Sequence, residues 1–289
     1  MTFTGILRIT KNKAIAVADS ICLDDDGAKD WSEKMYNLEN ELVVLDSGDQ
    51  SDTYRIRTDI ERWYNTISDE EEYTLKGHVD GIREIFKDAY LDAAEEKVLF
   101  KYNTNWEEWK MGRIAPNTMY IIKEKLEKFC DEDYDPSLIL AGYDEALEEV
   151  LIYGIEPPAK VEMHECYCTK GKNTEEADKK IAANTPPNKR YNMREEDGIY
   201  LMLDVMLDVQ KTNAHVGGPK PPYVAIMEKD KINVLDEKTV EKILEVIESR
   251  RRSEESEDEK IIPKRKVLSD IKKILDKKEE EKSSGGATA

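Results

Sequence analysis

Glutamine is almost missing from this 289-residue chain, occurring only at Gln50 and Gln210. Lysine and glutamate are abundant by contrast, a bias that goes with heat-stable proteins. No stretch of about 18 apolar residues exists, which excludes a bilayer-spanning helix. The opening MTFTGILRIT has no basic segment followed by an apolar core, so no signal peptide is expected and a cytoplasmic location is. There is no basic excess either: the net charge is -19, a field that repels phosphate backbones, so nucleic acid is not an expected partner. The four cysteines, Cys22, Cys130, Cys166 and Cys168, are too sparse for a disulfide frame and are expected as thiols. No phosphate loop is present, because GGPKPP (217–222) lacks a following Lys-Ser/Thr on a helix, and no cofactor is expected. The run His164-Glu165-Cys166-Tyr167-Cys168 has metal-binding residue types. Its Cys-x-Cys spacing is tighter than a zinc knuckle and has no second Cys pair, so a strand with two thiols and no metal is expected.

What is present suits one large domain with an appendage. Hydrophobic residues make up 39% of the chain, enough for a core, and charged residues 37%. SDEEEY (68–73), EESEDEK (254–260) and KKEEEK (277–282) read as solvated faces. Residues 2–10 and 14–18 read as strands around a Lys11-Asn12-Lys13 turn, and ELVVLDSG (41–48) as a buried strand closing on a Gly turn. Helices are expected over 52–64, on the spacing of Tyr54, Ile56, Ile60 and Trp63, and over 117–130, on Met119, Ile122, Leu126 and Phe129. Residues 66–116 read as an irregular insertion with one helix at about 81–96 and three aromatics, Tyr102, Trp106 and Trp109. SLILAGYD (137–144) and VLIYGI (150–155) read as a hairpin, 197–209 as an apolar helix, 223–227 and 231–235 as a second hairpin, and 239–252 and 267–278 as helices. The order is not an alternation of strand and helix, which excludes a parallel doubly wound sheet and favours two strand layers with a helix layer on each side. Residues 1–236 are read as the domain and 237–289 as a helical, charged extension expected to end in a free tail.

Chemistry concentrates near the start. Methionine before a small residue is usually removed, which would make Thr2 the first residue. A Thr with a free α-amine is a nucleophile with a built-in base, the amine having an ordinary pKa of about 7.7–8.0. Thr2 stands 17 positions before Asp19, Asp19 stands 15 before Lys34, and Ser47-Gly48 follow. This ordered set resembles the proteasome β-subunit family of N-terminal nucleophile (Ntn) hydrolases, and so do LILAGYD (138–144) and Gly217-Gly218 ahead of YVAIM. The likeness covers about 1–65 and 117–236.

The resemblance implies an α+β fold, a four-layer αββα sandwich of two antiparallel sheets flanked by helices. It implies peptide-bond hydrolysis through an acyl-enzyme on Thr2, with no metal. Lys34 would lower the cost of deprotonating the Thr2 hydroxyl, Asp19 would orient Lys34, and the Gly48 N–H would face the oxyanion. Asp46, Ser47 and Asp49 would bind substrate, Asp46 at the floor of the pocket for the side chain before the cleaved bond, where it would favour Arg or Lys. The alternation of LVVLDSG leaves open which way Asp46 points. A peptide or protein substrate and a homo-oligomer are the implied partners. The chain departs from the active pattern near the late Gly-Gly: Asn213 stands where a supporting Asp is usual, and Val216 where a Ser is. The usual supporting Ser has its nearest counterpart in Thr174. These departures keep open a non-catalytic ring or scaffold subunit. A ligase or transpeptidase of connectase type is a further alternative, because hydrolysis and ligation pass through one acyl-enzyme ester.

Overall fold

In the computed structural model, residues 3–23, 29–31, 33–39, 41–67, 74–171, 174–186, 191–213, 216, 220–229, 231–256 and 261–285 are described. The first sheet has strands β1 (Phe3–Thr10), β2 (Lys13–Ala18), β10 (Tyr167–Gly171), β11 (Tyr223–Glu228) and β12 (Lys231–Val234), in the order β10-β1-β2-β11-β12. The second has β5 (Met35–Leu38), β6 (Leu42–Ser47), β7 (Ser137–Asp144), β8 (Glu149–Glu156) and β9 (Lys160–His164), in sequence order. A small ribbon, β3 (Ile21–Leu23) with β4 (Lys29–Trp31), follows β2, and every pairing is antiparallel.

Period-two alternation builds the layers. Both faces of the central strands are buried, so they read as continuous apolar runs. In β1, Phe3, Leu7 and Ile9 enter the core under one helix layer, while Ile6 points between the sheets. In β2, Ile15 and Val17 face those helices, and Ala14, Ala16 and Ala18 face the other sheet. In β6, Leu42 and Val44 face the second helix layer, and Val43 and Leu45 the inter-sheet core. Three apolar clusters stacked in this way make a four-layer αββα sandwich.

Over the second sheet lie α1 (Gln50–Ile67), α2 (Leu75–Lys97) and α4 (Pro116–Lys128), with a short α3 (Trp106–Lys110) between the last two. The segment read as an irregular insertion is therefore mostly regular. α2 is capped by Thr74 and buries Val79, Ile82 and Phe86 against the sheet. Leucine-poor, with Ala and Gly among its inward positions, it has a weak periodic signal that understated its length. On α1 the buried stripe is Thr53, Ile56, Ile60 and Tyr64, and Tyr54, expected inward, is 71% exposed.

Over the first sheet lie α5 (Thr174–Asn184) and α6 (Glu195–Thr212). α6 is apolar nearly all round because a second tier covers it, formed by α7 (Glu237–Glu255) and α8 (Lys264–Gly285). Val267, Ile271 and Leu275 of α8 enter the same cluster as Phe3 and Leu7. Asp236 caps α7 through the Thr239 N–H at 2.9 Å and pairs with Lys278 of α8 at 2.7 Å. The expected free tail is thus a packed helix as far as these residues go, with Lys278 continuing the buried stripe to meet Asp236. At the end of the sandwich opposite the chain start, Arg8 ties the sheets together, donating to the Val150 carbonyl at 2.7 Å and pairing with Glu149 at 3.1 Å.

Candidate functional site

The site forms where β1 begins and β2 and β6 end. Thr2, the expected nucleophile, and Gly217-Gly218 lie outside the described residues. Their neighbours are placed. The register pairs Thr4 with Ala18, and the Asp19 N–H donates to the Phe3 carbonyl at 3.0 Å. Asp19 therefore stands beside the residue that directly follows Thr2. It is fully buried, and its Oδ1 accepts Lys34 Nζ at 2.8 Å, with the lysine 5% exposed. Both partners of this ion pair are buried, so their attraction is little screened by solvent.

The chain continues from this pair to the Gly turn. The Lys34 carbonyl accepts the Asp46 N–H at 3.0 Å, and Gly48 follows two residues on. Gly48 has φ +120, a backbone that side chains rarely adopt, and a Cβ there would lie 2.7 Å from the Asp135 carbonyl oxygen and from Pro136 Cα. Glycine is thus required on two independent grounds. Asp19, Lys34, Asp46 and Gly48, spread over 30 residues of sequence, are linked by consecutive short contacts.

Adjacent residues of β6 diverge. Ser47 points between the sheets, and its hydroxyl is 2.8 Å from that of Ser137, its ladder partner. A cleft of about 650 Å³ opens there, lined among others by Ser47, Gly48, Ser137, Thr169 and Thr174. Thr174, at the head of α5, thus shares a cavity wall with the Gly turn. Asp46 lies on the opposite face with Leu42 and Val44, under α1, and is 6% exposed. That settles the direction which the alternation left open. Burial pushes the Asp46 carboxyl up to about 6, against the opposing pull of Arg57 and then Lys34.

Asp49 serves its own helix. Its carboxylate accepts the Ser51 N–H at 2.9 Å and the Asp52 N–H at 3.3 Å, capping α1, and its own N–H donates to Asp135 at 2.9 Å. Partial burial would raise its pKa, but the bonds from Ser51 and Asp52 outweigh it and hold the carboxyl below the ordinary range. Asn213 ends α6, is 9% exposed, and its carbonyl accepts the Val216 N–H at 3.1 Å. The Ser20 hydroxyl donates to the Lys220 carbonyl at 2.7 Å, which ties Lys220, ahead of β11, to the end of β2. Cys166 packs in the helix-side core and Cys168 between the sheets, so the His-x-Cys-x-Cys run does not converge. Cys130, Cys166 and Cys168 are free thiols.

Two side chains escaped the sequence reading. Tyr36 of β5 is buried on the Asp46 face with a hydroxyl that has no hydrogen-bond partner. Arg57 of α1 stacks over the Tyr36 ring at 4.6 Å. The only available signal was that Arg57 flanks the stripe of Ile56 and Ile60.

Two five-stranded antiparallel sheets between helix layers make a four-layer sandwich whose first strand opens beside a buried carboxylate–lysine pair. Solved structures share it. One is the Anbu (Gly-1) mutant from Hyphomicrobium sp. strain MC1, with a TM-score of 0.59 at 14% identity, over 91% of this chain and 100% of that one. Another is Anbu, described as an ancestral beta-subunit, from Yersinia bercovieri, with a TM-score of 0.56 at 15% identity, over 81% of this chain and 87% of that one. At these identities the likeness is one of fold. No family model matches the sequence, and no curated protein does. No helix among the described residues is long and apolar enough to cross a membrane.

Proposed function

We propose that this chain is an N-terminal threonine hydrolase that cleaves peptide bonds through an acyl-enzyme on Thr2, exposed by removal of Met1. The observation that carries the reading is the buried Asp19–Lys34 ion pair, tied by the Asp19 N–H to the residue after Thr2. In this reading the Lys34 ammonium stabilises the developing Thr2 alkoxide, the α-amine takes its proton, and Asp19 holds the ammonium in place. The Gly48 N–H receives the oxyanion, and its left-handed backbone keeps a side chain out of the way. Asn213 and Thr174 stand as supporting hydrogen-bond groups, and Asp46 selects a basic side chain. Water releasing the ester gives hydrolysis, and an incoming amine gives ligation of connectase type. In this reading the active form is a homo-oligomer of closed symmetry.

The test is intact mass followed by a peptide epoxyketone, a probe that needs both the hydroxyl and a free α-amine. Loss of Met1 and a single adduct on Thr2 are expected. Retained Met1, or no adduct on a protein that lacks it, would leave a structural subunit as the reading. With a peptide substrate in place of the epoxyketone, transfer of its acyl group to an added amine peptide rather than to water would identify the ligase.

A further inference from the structure

Lys34 lies one residue ahead of β5 and carries its register one step further, opposite Asp46 of β6. Two consecutive carbonyls hold the segment there. The Lys34 carbonyl is held by the Asp46 N–H at 3.0 Å, a main-chain contact. The Glu33 carbonyl is held by Arg57 Nη1 at 3.2 Å, and the Glu33 carboxylate by Arg57 Nη2 at 3.1 Å. Arg57 is itself fixed on three sides. Its Nε donates to Glu61 one turn along α1 at 2.9 Å, and its plane lies over the Tyr36 ring at 4.6 Å. Planar donors engaged at once to a carbonyl, two carboxylates and a ring are a task for arginine, which lysine's single ammonium does not reproduce.

We propose that Arg57 is a positioning residue that clamps the Glu33–Lys34 segment to α1 and thereby fixes the Lys34 ammonium against Asp19. The catalytic part of this inference rests on the role given to Lys34 above; the mechanical part does not. The same guanidinium lies near Asp46, so α1 couples the placement of Lys34 to the charge at the pocket floor.

Two measurements separate these parts. Amide hydrogen exchange reads the clamp without any activity. In Arg57→Gln, protection of the Asp46 N–H, whose acceptor is the Lys34 carbonyl, should fall by about tenfold or more, the scale of losing a charged hydrogen bond. Ladder amides of β7 and β8 should not change. Arg57→Lys, which keeps the charge but not the fork, should also lose protection. Unchanged Asp46 protection in both variants would overturn the proposal. Epoxyketone capture then reads the catalytic consequence. Arg57→Gln should lower the maximal rate of adduct formation with little change in inhibitor affinity. The double variant with Lys34→Ala should be no slower than Lys34→Ala alone, because both act through one group. Losses that multiply would assign Arg57 a role independent of Lys34 and refute positioning. If the wild type forms no adduct but the exchange result holds, the peptidase reading fails and the clamp stands.

Discussion

Replacing Asp46 with asparagine should stabilise the protein above about pH 6, although it removes a charge from a site that contains Arg57. The carboxyl pKa is 3.8 when freely solvated and about 6 when folded, so burial outweighs the attraction of the guanidinium. Between these values the folded chain keeps a proton that the unfolded chain has released. Stability therefore falls as pH rises across that window, and the whole cost is present above it. Two pKa units correspond to about 3 kcal/mol. Asparagine nearly preserves the shape and has no proton to lose. The variant should match the wild type near pH 4 and exceed it by up to about 3 kcal/mol at neutral pH. For a chain of this size that is a rise in melting temperature of about 5–10 °C. Thermal or urea unfolding of both proteins from about pH 4 to 8 reads the difference directly. A difference that does not vary with pH, or a variant less stable at neutral pH, would refute the claim that burial dominates at Asp46.

Other outcomes follow from the same geometry. Lys34→Ala should nearly abolish epoxyketone labelling while circular dichroism stays native, since the lysine contributes charge rather than packing; unchanged labelling kinetics would remove it from the mechanism. Gly48→Ala should cost about 2 kcal/mol or more in urea denaturation, because a Cβ there meets the Asp135 and Pro136 backbone at 2.7 Å on a φ of +120. In a fluorogenic panel varied only before the scissile bond, Arg should be preferred at about pH 8, and the preference should fade near pH 5 as Asp46 takes up its proton at about 6. Faster cleavage after apolar residues, or an Arg preference that survives Asp46→Asn, would exclude Asp46 as the selector. Light scattering at micromolar concentration should report an assembly larger than the 33.3 kDa chain.

The strands joined by tight turns were legible because period-two alternation and the Lys11-Asn12 and Glu228-to-Lys231 turns mark them locally. The long-range pairings β1–β10, β2–β11 and β6–β7 have no local signal, and β3, β4, β5, β9 and α5 went unread; KVEMH is mostly exposed and TEEADKKIAAN buries little beyond Ala177 and Ile181. The Asp19–Lys34 pair was anticipated by ordered spacing, and the structure brings the two together at 2.8 Å. Asp49, expected as a substrate contact, caps α1, a role that a carboxylate after a Gly turn also serves. Arg57 was invisible because its meaning depends on where residue 33 lands, and no local period records a contact 24 residues away. α8 looked like a free tail because four buried residues among many charges make a narrow stripe, which only the exposed back of α6 turns into a docking face.

β6 acts as a partition one strand thick. Its last two residues face opposite ways, Asp46 into the recess beneath α1 and Ser47 into the cleft between the sheets. The arrangement is intolerant of error. A slip of one position between β6 and β7 would exchange the two sides, leaving a hydroxyl under the helix and a carboxylate beside Ser137. The Ser47–Ser137 contact and the close fit of Gly48 on Pro136 lie at the end of the strand where such a slip would have to begin.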